Sequence, residues 1–178
     1  MRKSFSTILA TVALTVASTV AGAAPASAAQ AGEASVTGAS SGTWICYRAY
    51  LQNQGWQDYQ NCDGGKVGTE GQARNVEGLT IAAGGVGRLC VRAHVQDQGW
   101  DTYPTCSSSD GMAVTVGTSG KNRAIEALEI SVNGGEVAAD AHLRNQGWTG
   151  WSDYATTVRI GTTGQNRPVE GLKFAVRN

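Results

Sequence analysis

The sequence predicts an all-β domain in which three tandem repeats of about 45 residues close with pseudo-threefold symmetry around one core. Three observations predict it. Gln-Gly-Trp is written three times, at Gln54-Gly55-Trp56, Gln98-Gly99-Trp100 and Gln146-Gly147-Trp148, so the tryptophans stand 44 and 48 residues apart. The residues ahead of each copy alternate in polarity with the period of a half-buried strand. Helix signals are nearly absent: the chain holds 24 Gly, and no stretch beyond the N-terminal leader keeps a 3.6-residue period. Three or four short strands per repeat give about ten to twelve in all. A β-prism of three sheets and a β-trefoil both suit a threefold repeat of this size.

Each repeat carries the same parts in order. Tyr47, Ala49 and Leu51 share one strand face, as do Val91, Ala93 and Val95, and Ala139, Ala141 and Leu143. The small residue in the middle of each set fits crowding near a common axis. Asn53, Asp97 and Asn145, with the Gln and Gly that follow, supply turn chemistry. Each Trp then opens a short strand and is trailed by a second aromatic, Tyr59, Tyr103 or Trp151. A second turn follows at Gly68-Thr69-Glu70-Gly71, Gly117-Thr118-Ser119-Gly120 and Gly161-Thr162-Thr163-Gly164.

The closing segments hold Arg74, Glu77 and Leu79; Arg123, Glu126 and Leu128; Arg167, Glu170 and Leu172. Strict alternation would aim each Glu at the core, where an unpaired carboxylate is costly. Either a bulge marked by Gly78, Ala127 and Gly171 turns the Glu outward, or Arg74, Arg123 and Arg167 pair with these carboxylates within or between repeats. The structural ion pair is the favoured reading.

Residues 1–28 read as an export signal: Arg2 and Lys3 lead a mildly apolar stretch that ends in Ala26-Ser27-Ala28. Residues 29–42, rich in Ala, Ser, Gly and Thr, read as a flexible arm. Residues 43–178 form one domain of three repeats, about 43–84, 85–133 and 134–178. Arg2 and Lys3 are the only charges in the leader, so the exported chain carries twelve basic and fourteen acidic side chains. That balance, with no basic cluster, argues against nucleic acid as a partner. With no second long apolar run, no membrane insertion is expected once the leader is removed. The expected location is outside the cell, in the medium or held on the wall.

Four cysteines permit three pairings. Cys46 and Cys90 each lie ten residues before their Trp, and Cys62 and Cys106 six after. Ala138 and Tyr154 hold both positions in the third repeat. Joint presence and joint absence point to bridges within repeats, Cys46–Cys62 and Cys90–Cys106, as an oxidising compartment permits. The spacing does not suit a zinc site of close Cys pairs.

The joint pattern is an apolar residue, Ala and His or Tyr, then Gln-Gly-Trp-x-x-aromatic, Gly-Thr-x-Gly and Arg-x-x-Glu-x-Leu. It resembles the clostridial hydrophobic repeat with invariant tryptophan, the ChW repeat, over nearly all of residues 43–178. The resemblance implies a secreted or cell-surface bacterial protein with an adhesive, surface-binding or carbohydrate-binding role. With the two-faced strands it favours the prism, while the trefoil, which also carries a Gln-x-Trp per repeat, stays open.

No catalytic, phosphate-binding or calcium-loop motif is present, and no cofactor or metal is implied. His94 and His142 occupy one repeat position that Tyr50 fills in the first copy, which suits packing better than catalysis. The expectation is therefore a non-enzymatic binding protein for carbohydrate or cell-envelope polymer. Its candidate contacts are Asn53, Gln54, Trp56 and Tyr59; Asp97, Gln98, Trp100 and Tyr103; and Asn145, Gln146, Trp148 and Trp151. Three weak sites gain by multivalency on a polymer. For the repeated Trp the competing and favoured reading is a core wedge, and the second aromatics are the better candidates for exposure. An extracellular structural or protein-interaction module is the alternative function, and an inhibitor of an extracellular enzyme a third.

Overall fold

The computed structural model describes residues 42–178. The expected leader, and the expected arm except Gly42, lie outside the described residues. Every described residue belongs to one compact unit.

All regular structure among the described residues is β. The first repeat contributes β1 (Trp44–Leu51), β2 (Gly55–Trp56), β3 (Asn61–Cys62), β4 (Val67–Gly68) and β5 (Val76–Gly84). The second contributes β6 (Leu89–Val95), β7 (Gly99–Trp100), β8 (Thr105–Cys106), β9 (Val114–Gly117) and β10 (Ile125–Val132). The third contributes β11 (Glu136–Leu143), β12 (Gly147–Trp148), β13 (Thr157–Gly161) and β14 (Val169–Arg177). The count exceeds the ten to twelve expected because two-residue rungs such as β3 and β8 pair as separate strands.

Each repeat builds one antiparallel sheet on a long two-stranded core, β1 with β5, β6 with β10 and β11 with β14. The Gln-Gly-Trp hairpin adds a short strand to one edge of each. The other edge is completed by a different repeat: the first sheet runs β2-β1-β5-β9, the second β7-β6-β10-β13, and the third β12-β11-β14-β4. Each repeat thus lends the strand that enters its Gly-Thr turn to the sheet of the preceding repeat, and the first lends its own to the third. This cyclic exchange ties the three sheets into a closed set, a layout compatible with a three-sided prism.

The lent strand fits because of one glycine. Gly68, Gly117 and Gly161 have φ of +92°, +91° and +88°, and a methyl there would stand 2.2, 2.3 and 2.2 Å from the carbonyl oxygens of Glu170, Glu77 and Glu126. The next amide, of Thr69, Thr118 or Thr162, donates to that same oxygen at 2.7, 2.7 and 3.0 Å. The Thr69 and Thr118 hydroxyls close their turns onto the Arg74 and Arg123 carbonyls at 3.4 and 3.1 Å.

The inner faces of the sheets form one apolar cluster. Ala49, Ala93 and Ala141, the small residue read in each first strand, are all fully buried. The packing is threefold in pattern and unequal in volume. Tyr47 and Phe174 meet edge to face at 4.8 Å, where the matching first-strand positions hold Val91 and Ala139. The Tyr47 hydroxyl donates to the Gly65 carbonyl and accepts from the Phe174 amide at 3.0 Å, joining first and third repeats.

Both disulfides lie within repeats, as the alignment predicts: Cys46–Cys62 and Cys90–Cys106 each bridge directly opposed positions of an antiparallel pair. The third repeat keeps the register without a bridge. Val137 and Ala155 exchange amide hydrogen bonds at 2.8 and 3.1 Å, and Arg177 covers the Tyr154 ring at 4.2 Å.

Two outcomes follow from this packing. Gly117→Ala adds backbone strain of about 1–3 kcal/mol to a main-chain clash, so urea denaturation should show a loss of at least about 3 kcal/mol or no folded protein. Burial pushes the Tyr47 phenol up to about 12 from its ordinary 10.0. The folded state therefore holds this proton more tightly than the unfolded state. Its contribution to stability is complete below pH 10 and is lost as pH rises through about 12. Unfolding free energy measured across that window should fall less steeply in Tyr47→Phe than in the natural protein.

Candidate functional site

The three Gln-Gly-Trp turns are near copies of one another. Asn53, Asp97 and Asn145 take φ of 60°, 62° and 60°, a left-handed conformation that Asn and Asp tolerate. The following amide closes each turn: Gln54, Gln98 and Gln146 donate to Leu51, Val95 and Leu143 at 3.1, 3.0 and 3.1 Å. All six of these Asn, Asp and Gln residues are exposed. Arg74 and Arg167 reach the Gln54 and Gln146 side-chain oxygens at 3.5 and 2.6 Å.

The hairpin register sets each Trp directly opposite the Tyr or His of the first strand. Trp56 meets Tyr50, Trp100 meets His94 and Trp148 meets His142, edge to face at 5.4, 5.4 and 5.5 Å. Arg48 sits 5.2 Å over Trp56, Arg92 and Arg159 each 5.0 Å over Trp100, and Lys173 3.6 Å over Trp148. These rings are half-buried, neither core wedges nor open platforms, because protein cations already lie against their faces. The Trp148 indole also donates to Glu70 at 3.1 Å. Lys66 first, and then this indole, hold the Glu70 carboxyl below its ordinary range. The second aromatics are exposed: Tyr59 at 51%, Tyr103 at 80% and Trp151 at 47%.

The repeated Glu departs from expectation. A bulge does occur at this step, with pairing shifting around Glu77, Glu126 and Glu170, but it leaves all three carboxylates buried instead of turning them to solvent. Nor do Arg74 and Arg167 neutralise them, since both serve the turn glutamines. Each Glu faces the joint between its own sheet and the Gly-Thr turn lent by the neighbouring repeat. Glu77 accepts the Gly120 and Asn122 amides at 2.9 and 3.3 Å. Glu170 pairs with Arg144 at 3.0 Å and lies 3.5 Å from His142. Glu126 lies 3.1 Å from His94. Neither His Nδ1 makes a hydrogen bond of regular geometry, so each contact is an ion pair only when the imidazole is protonated.

Among the described residues, three clefts bear on this framework. One of about 300 Å³ lies at the joint of His142, Asn145, Gln146 and Glu170 with Gly71 and Ala73. A second, of about 480 Å³, lies at the equivalent joint of His94, Asp97 and Glu126 with Gly164 and Asn166. A third, of about 350 Å³, opens between Trp151, Ser152 and Tyr154 of the third repeat and Asp63-Gly64 of the first.

The clostridial hydrophobic W family matches this chain three times, over residues 50–83, 94–134 and 142–178. The chain belongs to that family. No curated protein matches it, and no solved structure does.

The ChW hallmark residues therefore divide by role. The Trp of each repeat braces its turn. The Gly-Thr step and the Glu make the joint. The amide turns and second aromatics face outward. Of the residues singled out from sequence, Asp97, Asn145, Gln146 and Trp151 line clefts. Tyr59 and Tyr103 belong to none of the three. Sequence reasoning did not place Asp63, Tyr154 or the cleft-lining His–Glu pairs in the site. Tyr154 carried a usable signal: it stands where the other repeats have the second cysteine.

A pair of substitutions separates bracing from exposure. Trp100→Ala removes a half-buried ring, its His94 contact and two cation contacts, and should cost about 2–3 kcal/mol in urea denaturation. Tyr103→Ala should change stability by less than about 0.5 kcal/mol.

Proposed function

We propose that this ChW protein is a secreted, non-catalytic binding protein that grips carbohydrate or cell-envelope polymer in a lectin-like way. The reading rests on one observation above the others: the exposed Trp151 lines a cleft of about 350 Å³ with Asp63, Ser152 and Tyr154, one face of whose ring Arg177 covers. Aromatic walls stack on the apolar faces of sugar rings, and nearby polar groups fix their orientation. Asp63 Oδ1 accepts the Ile45 amide at 2.9 Å, which holds the carboxylate in place, and its second oxygen has no partner among the described residues. Export is supported by the leader pattern of residues 1–28 and by the two disulfides. The amide turns at the mouths of the joint clefts add similar contacts, so several weak contacts can act together on one polymer.

An adhesion module that binds protein is the second reading. It draws on Tyr103, which projects at 80% exposure outside the three clefts, as aromatic anchors at protein interfaces do.

Binding of the purified protein to immobilised neutral and wall polysaccharides tests the choice. Trp151→Ala should weaken polysaccharide binding by about tenfold, equivalent to about 1.4 kcal/mol, with an unchanged melting temperature. A natural protein that retains none of these polymers, even at high surface density, removes the lectin reading and leaves adhesion.

A further inference from the structure

The three joints between repeats are built from equivalent positions but are closed to different degrees. At the first joint no buried side-chain polar atom among the described residues lacks a partner. Glu77 accepts the Gly120 and Asn122 amides, and Gln52 donates to the Asn122 side chain. The Tyr50 hydroxyl lies over Gly120, where a methyl would meet it at 3.0 Å. At the third joint Arg144 answers Glu170 and reaches on to the Ala73 carbonyl and the Asn75 side chain at 2.7 and 2.6 Å.

At the second joint no amide and no Arg takes these roles among the described residues. The Glu126 carboxylate, with its side chain only 7% exposed, lies 3.1 Å from His94 Nδ1 and accepts no hydrogen bond of regular geometry among the described residues. The buried His94 Nδ1 beside it has no partner, and neither does the Thr162 hydroxyl of the lent turn, whose counterparts close their own turns. His94 is shorter than the Tyr of the first repeat, and Gln96 stands where the third repeat has Arg144. The space left over is the cleft of about 480 Å³.

We infer that this second joint is a binding cleft for a neutral saccharide unit, whose ring hydroxyls take the places that the Gly120 and Asn122 amides hold at the first joint. A hydroxyl both donates and accepts. It can therefore donate to the Glu126 carboxylate while accepting from the Gly164 or Asn166 amide across the cleft. Bonds to a carboxylate in a partly desolvated setting are the stronger kind, and a buried carboxylate met only by the His94 ring favours a ligand that supplies them. The lining carries the Glu126 and Asp97 carboxylates and no Lys or Arg, so polymers bearing phosphate or uronate are disfavoured. The inference rests on the carbohydrate reading above but concerns a cleft with no part in the Trp151 contact.

The test uses the full protein in titration calorimetry against a soluble β-glucan, a soluble α-glucan and chitin oligosaccharides, with polygalacturonate as the anionic arm. Glu126→Gln weakens the charge-assisted bonds. His94→Tyr copies the residue that closes the first joint and should fold normally, since Tyr50 fits the same register. Both should lower affinity for the best-bound neutral saccharide by about tenfold, with thermal melting as the control for folding. Should Glu126→Gln fail to fold, His94→Tyr decides. Trp151→Ala weakens retention on long polymers that engage both clefts, but with the short oligosaccharides it should retain the binding that these two variants lose. Natural affinity in both joint variants, with loss only in Trp151→Ala, overturns this inference and leaves the function standing. A preference for polygalacturonate overturns it as well. Absence of binding to every probe overturns both.

Discussion

Everything in this domain depends on the close approach of one main chain to another at the Gly-Thr step. A carbonyl of the repeated Glu accepts the Thr amide of a different repeat, and the preceding Gly has no side chain that would block the contact. Because each sheet takes its last strand from a neighbour, no repeat can complete a sheet alone. Loss of one such contact opens a sheet edge and a joint together. The three repeats must therefore form as one unit, in contrast to a linear array in which each piece meets only its neighbours.

The same device places chemistry between repeats. The Glu whose backbone carbonyl holds the lent strand also has its side chain in the joint, because a bulge turns it out of the core. A buried carboxylate needs an answer, and the repeats answer it differently, with amides at Glu77 and with Arg144 at Glu170. Copies equal in backbone have thus become unequal in the groups they leave available.

The third repeat diverges in another way. It lacks the disulfide, yet keeps the register through Val137 and Ala155, so the cross-link is not what sets the strand pairing. Tyr154 in place of the second cysteine makes one wall of the aromatic cleft. In the core, Tyr47 and Phe174 bring bulk where the equivalent positions of other repeats are aliphatic. Volume is thereby balanced across the whole cluster and not within each repeat.

Local pattern alone determined a good deal. Alternation named the buried faces, and Ala49, Ala93 and Ala141 are where it put them. The joint presence of two cysteines in each of the first two repeats, and their joint absence from the third, identified both bridges. The turn residues were legible for the same reason: left-handed backbone at Asn53, Asp97 and Asn145 is a local requirement. What the tertiary structure decided is which repeat completes which sheet, where Glu77, Glu126 and Glu170 point, and which clefts stay open. These depend on groups more than forty residues apart meeting across a joint, such as Glu77 with Gly120. A period in sequence carries no record of such a meeting, since every copy of the motif looks equally able to pair with every other.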